Sequence, residues 1–164
     1  MAGLTGTQAA GLGALIGSFL TFIIVGAIIY YVLLVVAWWK LFSKAGEKGW
    51  KSIIPIYNFY VQCRLTWSTK FFWIIFIVGL LASIFSGLAP TLASPISGIF
   101  SIASLVLAIA FAVFLIISEY RLSKAYGHGA GFTVGLVIFN FIFMLVLGLG
   151  KSEYKGNVYL DSKN

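Results

Sequence analysis

Charged side chains are absent from three long stretches of this 164-residue chain. Residues 1–39, 71–118 and 125–150 contain no Lys, Arg, Asp or Glu. Charged residues make up 9% of the chain, whereas soluble domains average about 25%. A hydrocarbon bilayer strongly disfavours buried charge and accepts Leu, Ile and Phe readily. This distribution excludes an ordinary water-soluble globule and predicts a single membrane domain over residues 1–164.

Cysteine and histidine are equally scarce, which excludes several kinds of site. Cys63 and His128 each occur alone, so an internal disulfide or a Cys/His zinc site cannot form. No Gly-x-Ser-x-Gly elbow, His-Glu-x-x-His helix or phosphate-binding glycine loop occurs. Every lysine lies in a loop or the tail, whereas a Ser–Lys dyad needs a desolvated lysine. We therefore expect that the protein is not an enzyme and that it has no catalytic, cofactor-binding or metal-binding residues.

Four apolar segments are long enough to cross a bilayer, which takes about 20 residues of helix. They are residues 14–39, 71–88, 96–118 and 132–149, followed by a tail at 150–164. The first is not expected to be a cleaved signal peptide, because no basic residue precedes it and its apolar run is too long. The pattern predicts an all-α integral membrane protein with four transmembrane helices.

An additional helix is expected between the first two spans. Pro55 suits a helix start, and Ile56, Phe59, Tyr60 and Cys63 follow at helical spacing on one face. We interpret residues 55–66 as a cytoplasmic interfacial amphipathic helix. The aromatic side chains around it are typical of a membrane–water interface.

The basic residues predict an orientation. Six of the eleven Lys and Arg residues lie in 40–70, and Arg121 and Lys124 follow the third span. Positively charged short loops face the cytoplasm, so loops 40–70 and 119–130 are expected to be cytoplasmic and both termini outside. The net charge of +7 flanks apolar spans, which favours anionic lipid head groups near 40–70 and argues against nucleic acid.

Rows of small residues predict where helices pack, since such rows allow close approach in lipid. Either these rows pack one bundle or at least one faces a second copy; their number favours a homo-oligomer. Asn140, near the centre of the fourth span, is expected to bond a neighbouring helix or line a pathway. Glu119 is expected to form a boundary ion pair with Arg121, Lys124 or a lysine of the first loop. The packing candidates are Gly13, Gly17, Gly79, Ser83, Gly87, Ser104, Ala108, Gly131, Gly135 and Asn140.

Two stretches resemble a known family. The run from Trp39 to Trp50, continued by Ile54-Pro55-Ile56-Tyr57-Asn58, is similar to the small prokaryotic membrane proteins of the DUF5684 type. The segments 124–136 and 147–154 resemble the same family. The resemblance implies a multi-pass protein of the prokaryotic cytoplasmic membrane without supplying an activity. Within the motif, Trp50, Pro55, Tyr57 and Asn58 are predicted to anchor the loop at the interface.

The sequence favours a non-enzymatic, self-associating membrane protein with a structural, membrane-organising or accessory role. An oligomeric pore or uncoupled transporter is the alternative, with Asn140 and the serines of the third span lining a path. An intramembrane hydrolase is the third hypothesis, and the placement of the lysines argues against it.

Overall fold

Six α-helices make up most of the chain in the computed structural model, which describes residues 6–157 apart from the side chains of residues 8 and 9. In chain order they are α1 (Gly6–Lys44), α2 (Pro55–Thr66), α3 (Thr69–Leu88), α4 (Ile96–Ala125), α5 (Ala130–Ile138) and α6 (Asn140–Leu149). Short 3₁₀ turns at Gly49–Ser52 and Ala89–Thr91 precede α2 and α4. No strand occurs within residues 6–157, so the prediction of an all-α fold is confirmed for the described chain.

Within the described residues, three helical segments are long and apolar enough to cross a membrane. They are Ala10–Lys44, Thr69–Thr91 and Ile96–Ala125. Each contains one of the first three predicted spans. Helix α2 has the bounds expected from the sequence, and Pro55 occupies its first turn, where the missing backbone N–H costs no hydrogen bond.

Two of the long helices end in the same glycine-dependent motif. After α1, Gly46 adopts a positive φ of 75° and Glu47 N donates to Phe42 O at 2.8 Å. After α4, Gly127 has φ 80° and His128 N donates to Ser123 O at 2.9 Å. Both are Schellman motifs, in which glycine adopts a conformation that side chains disfavour. They stop α1 and α4 sharply and turn the chain back.

The predicted fourth span, residues 132–149, is not one helix. The chain breaks at Phe139, whose φ of −119° and ψ of 49° lie outside the helical region, and α5 and α6 fold against each other. The rings of Phe132 and Phe143 are 5.0 Å apart, whereas 11 residues of continuous helix would separate them by about 16 Å. Gly135 allows this fold, because a Cβ there would lie 2.2 Å from the Phe143 ring.

The α5–α6 hairpin begins and finishes at the same end of the molecule. Its start is held by the Ser123 hydroxyl, which donates to Gly129 O at 3.0 Å. At its finish, Lys44 Nζ donates to Leu147 O at 2.9 Å and Gly150 O at 2.8 Å. Residues 150–157 therefore lie beside the two basic loops and not at the opposite end, as a fourth span would require. The chain termini themselves, and residues 158–164 of the predicted tail, lie outside the described residues.

We call this end the basic end: Lys40–Thr69, Glu119–Gly129 and residues 147–157. The buried apolar cluster lies here, between α1, α4 and the hairpin. In contrast, residues 10–29 of α1, which we call the outer stretch, are exposed on every face. The neighbours run in the order α1, α6, α5, α4, α3, with α2 packed on α3 and α4. The cluster consists of Leu41, Leu122, Ala125, Tyr126, Leu136, Met144 and Leu147.

Candidate functional site: the basic end

The predicted anchor residues surround the start of α2. Trp50, which is 46% exposed, stacks on Tyr57 with ring centroids 6.0 Å apart. Asn58 Nδ2 makes a long hydrogen bond of 3.5 Å to Ser52 O, while its Oδ1 is buried without a hydrogen-bond partner among the described residues. Gly49 lies under the Trp39 indole, where a Cβ would be 2.2 Å from a ring atom. The aromatic residues and the glycine together fix the loop against α1.

A cleft of about 260 Å³ separates α1 from α2. Tyr31 and Trp38 of α1 face Asn58 and Gln62 of α2 across it. The Tyr31 hydroxyl donates to Ile53 O at 2.5 Å, which joins α1 to the loop before α2. The cleft is largely apolar with a few polar side chains, a composition typical of small binding sites.

Helix α2 is joined to α4 by buried polar groups. Gln62, 4% exposed, reaches the Ser118 hydroxyl with Nε2 at 3.4 Å. The Arg121 guanidinium lies over the Trp67 ring, 5.2 Å from its centroid. Burial raises the pKa of the neighbouring Cys63 thiol to about 12, so this cysteine is a neutral, packed side chain at physiological pH.

The tail closes the end of α2. A helix leaves its last four carbonyls without intrahelical donors, and two tail side chains supply them here. The Tyr154 hydroxyl donates to Leu65 O at 2.6 Å, and Asn157 Nδ2 donates to Arg64 O at 3.2 Å and Trp67 O at 2.9 Å. The tail backbone is itself fixed by Lys155 N, which donates to Ala125 O at 2.7 Å.

Two further side chains connect helix ends at the basic end. The Lys44 ammonium donates to Leu147 O and Gly150 O at the carboxyl end of α6, where the helix dipole favours a cation. The Tyr126 hydroxyl donates to Leu41 O at 2.7 Å. Burial raises the Tyr126 pKa, with a smaller contribution from Tyr154, so the hydroxyl remains protonated and continues to donate.

The ion pairs found among residues 6–157 all involve Glu47. Its carboxylate meets Lys51 at 2.5 Å and also bonds Arg64 of α2. The hydrogen bond from Lys51 lowers the Glu47 pKa below its ordinary value, aided by the charge of Arg64 and partly opposed by desolvation. The pairs join the loop to α2 but stay partly solvated.

The predicted packing glycines fall into two groups. Gly79 lies under the Phe111 ring, 2.9 Å from an added Cβ, and Gly135 lies under Phe143, so both serve contacts within the chain. Around Gly13, Gly17, Gly87 and Gly131, nothing in the described structure lies within 4 Å of an added Cβ. These four glycines pack against no other part of the described chain.

Three further packing candidates, Ser83, Ser104 and Ala108, lie on α3 and α4. Ser83 and Ala108 line a groove of about 670 Å³ between these helices, together with Gly79. The Ser83 hydroxyl donates to Gly79 O at 2.9 Å, and the Ser104 hydroxyl donates to Ser101 O at 2.9 Å. Both hydroxyls are thus used within their own helices.

Glu119 and Asn140 lie where the sequence did not place them. Asn140 is exposed at the start of α6 and not at the centre of a continuous helix. Glu119 makes none of the expected ion pairs with the described lysines and arginines. Its Oε2 is buried with no hydrogen-bond partner in residues 6–157. Both residues line one groove beside α5.

Sequence reasoning missed the residues that organise this end. Tyr154 and Asn157 belong to a tail segment without periodicity, and Lys44 was counted only as a loop charge. Gly148 was also missed: an added Cβ would lie 2.6–2.9 Å from backbone atoms of Ala37. A glycine near the end of an apolar run was the one available signal. Within residues 6–157, no group of three or more His, Cys, Asp or Glu side chains is placed to hold a metal ion.

The geometry defines an all-helical protein with three long apolar helices, in the described residues, and a helical hairpin inserted beside them at one end. The model of a family of unknown function, DUF5684, matches residues 50–157, more than half of the chain. The chain therefore belongs to DUF5684. No curated protein and no solved structure matches it. The matched region contains α2 to α6 and the tail segment that closes α2; α1 precedes it.

Proposed function

We propose that this protein is a non-enzymatic integral membrane protein that self-associates through the outer stretch of α1 and organises lipids at its basic end. The observation that carries the proposal is the outer stretch itself. Residues 10–29 are exposed on every face, and Gly13 and Gly17 have open space where a Cβ would be. Such a row permits the close helix approach on which association in lipid depends.

The membrane location is supported by the three long apolar helices and by the surface they present. Large apolar side chains of α1, α3 and α4 are exposed along their length, among them Phe19, Leu80 and Ile102. Contiguous exposed apolar surface of this extent is costly in water and neutral in hydrocarbon.

The proposed topology has three crossings, with α5–α6 as a hairpin that enters the membrane and returns to the same side. In this topology the basic end faces the cytoplasm, because short cytoplasmic loops carry excess Lys and Arg. Lys151 and Lys155 lie at this end together with both basic loops, so tail charges that would oppose a four-span topology agree with this one. The basic surface would then meet anionic head groups.

The hairpin supports the same arrangement. Irregular backbone at membrane depth is tolerated where neighbouring helices bury it, and α5–α6 lies between α1 and α4. Tyr30 of α1 stacks on Phe141 at 4.7 Å, near the break. A pore receives less support, because the Ser101 and Ser104 hydroxyls are bonded within α4.

Self-association is tested by native mass spectrometry of the full chain in lipid nanodiscs or mild detergent. The wild type is expected to be oligomeric, and Gly13→Leu with Gly17→Leu is expected to shift it to monomer by blocking close approach. The matched control is Gly26→Leu, which is also open but points roughly opposite on the helix at about 100° per residue. A monomeric wild type, or equal loss in the control, would overturn the proposal.

A further inference from the structure

The groove that contains Glu119 holds an unusual combination of groups. It has a volume of about 360 Å³, between the basic-end half of α4 and the break between α5 and α6. Most of its lining is apolar and exposed on the outer surface of the described chain, where the proposed bilayer would lie. The apolar lining comprises Ala112, Leu115, Ile116, Leu136 and Val137. The polar groups are the Glu119 carboxyl and the Asn140 carboxamide.

The Glu119 carboxyl group has neither an ion-pair partner nor a hydrogen bond to its buried oxygen within residues 6–157. Its Oε2 is buried and accepts no hydrogen bond there, and the ion pairs of this region use Glu47 instead. A desolvated carboxylate is costly unless a cation or hydrogen-bond donor meets it. Burial at such a position needs a partner, and ionisable groups at membrane depth commonly mark ligand sites.

The chemistry of the groove selects the partner. An apolar channel whose lining also includes an acceptor-only carboxylate and a carboxamide complements an amphiphile with a cationic, hydrogen-donating head. A primary ammonium carries three N–H donors, enough for Glu119 Oε2 and Asn140 Oδ1 together. A quaternary ammonium has no N–H and cannot make these bonds. A bare metal ion would leave the apolar walls unused.

We propose that this groove binds the primary ammonium of an amphiphile, with its nitrogen on Glu119 and Asn140 and its chain along α4 and α5. The source is either an aminophospholipid with an ethanolamine head or a free long-chain amine. The inference rests on the proposed membrane location and is independent of self-association through α1. The oligomeric state of Glu119 variants is therefore expected to be unchanged.

The test measures which lipid remains on the protein. The full chain is reconstituted in nanodiscs with equal amounts of phosphatidylethanolamine and phosphatidylcholine of the same acyl chains, and retained lipid is counted by native mass spectrometry. We expect at least fivefold enrichment of phosphatidylethanolamine, reduced to parity in Glu119→Gln. Glu153→Gln, which changes an exposed carboxylate, is the matched control and should keep the enrichment.

A second arm distinguishes the source and guards against misfolding. Dodecylamine is added to protein in lipid-free detergent: binding without phosphatidylethanolamine enrichment assigns the site to free amines, and competition between the two assigns it to the lipid. Ala112→Phe fills the groove while keeping Glu119, so it should abolish retention of either ligand even if Glu119→Gln fails to fold. Equal retention in wild type and Ala112→Phe, or no retention of either amine by wild type, overturns the proposal.

Discussion

The outer stretch of α1 and the basic end both contain many large apolar side chains, but only those of the basic end are buried against other helices. Residues 10–29 form no hydrogen bond or ring contact with another element of the described chain, and their hydroxyls bond within α1. In the basic end, Leu41 and Leu147 are 0% exposed. One helix, α1, belongs to both regions: its first part is free and its last part is enclosed.

The difference shows that composition does not determine packing in this chain. In the proposed bilayer, apolar surface would gain little from meeting other apolar surface, so Leu and Ile alone would not pack the outer stretch. The basic end is held by directed contacts at helix ends: Tyr126 on α1, Lys44 on α6, and Tyr154 and Asn157 on α2. Close packing in the basic end thus occurs where polar groups and glycines connect the helices.

The sidedness of the basic end gives the largest expected effect, because it is all-or-none. Cys63 is buried with a raised pKa, so single cysteines added elsewhere should react with a membrane-impermeant maleimide over a low background. In intact cells we expect Ala93→Cys, between α3 and α4, to be labelled. Lys48→Cys and Lys151→Cys should be labelled only after the membrane is permeabilised.

The informative comparison is between the two lysine positions. Since residues 150–157 contact the loops of the basic end, Lys48→Cys and Lys151→Cys must behave alike. Labelling of Lys151→Cys in intact cells, with Lys48→Cys protected, would restore a fourth crossing and divide the basic end between two sides. Protection of Ala93→Cys together with both would contradict the three-crossing topology.

The same substitution should have opposite effects in the two regions. Gly148→Ala puts a Cβ within 2.6–2.9 Å of the Ala37 backbone, which cannot move aside without separating α6 from α1. We expect destabilisation of about 2–3 kcal/mol. Gly26→Ala meets open space and should be neutral or stabilise by up to about 1 kcal/mol, because alanine favours helix. Unfolding of both variants in one detergent measures this; equal losses would refute the contrast.

Much of the architecture was accessible from sequence because its signals are local. Uninterrupted apolar runs predicted the three long helices, and Pro55 predicted the start of α2. Each depends on residues a few positions apart. The break at Phe139 could not be predicted in this way. Residues 132–149 have the length and composition of a span, and what divides them is the contact of Phe143 with Gly135, together with the space between α1 and α4.

The candidate site was less predictable for the same reason. Glu119 was assigned an ion pair because Arg121 and Lys124 are near in sequence, whereas on the helix Arg121 faces Trp67 and Glu119 faces the hairpin. Tyr154 and Asn157 act on carbonyls about 90 residues earlier. A short aperiodic tail carries no pattern that indicates such partners. Hydrogen bonds between residues so far apart in the chain become visible only in the folded structure.

The smallest expected effect lies at the solvated edge of the basic end, in the ion pairs of Glu47. Because the hydrogen bond from Lys51 lowers the folded-state pKa of Glu47, its stabilisation is fully present above the ordinary glutamate pKa. It is lost as the pH falls through the lowered value. At pH 7, Glu47→Gln should cost about 0.2–1 kcal/mol, as partly exposed pairs do. The difference from wild type should shrink with added salt.

Measured by thermal unfolding as the pH is lowered from 7, the difference between the wild type and Glu47→Gln should shrink, because the carboxyl becomes protonated in the folded as well as the unfolded chain. Glu153→Gln, which removes a carboxylate outside the described ion pairs, should match wild type throughout. A gap between Glu47→Gln and wild type that narrows neither with falling pH nor with added salt would mean that Glu47 acts by packing and not by charge. The Glu47 region would then be held by packing, as the buried interior of the basic end is, and the surface of the basic end would also differ from the unpacked outer stretch.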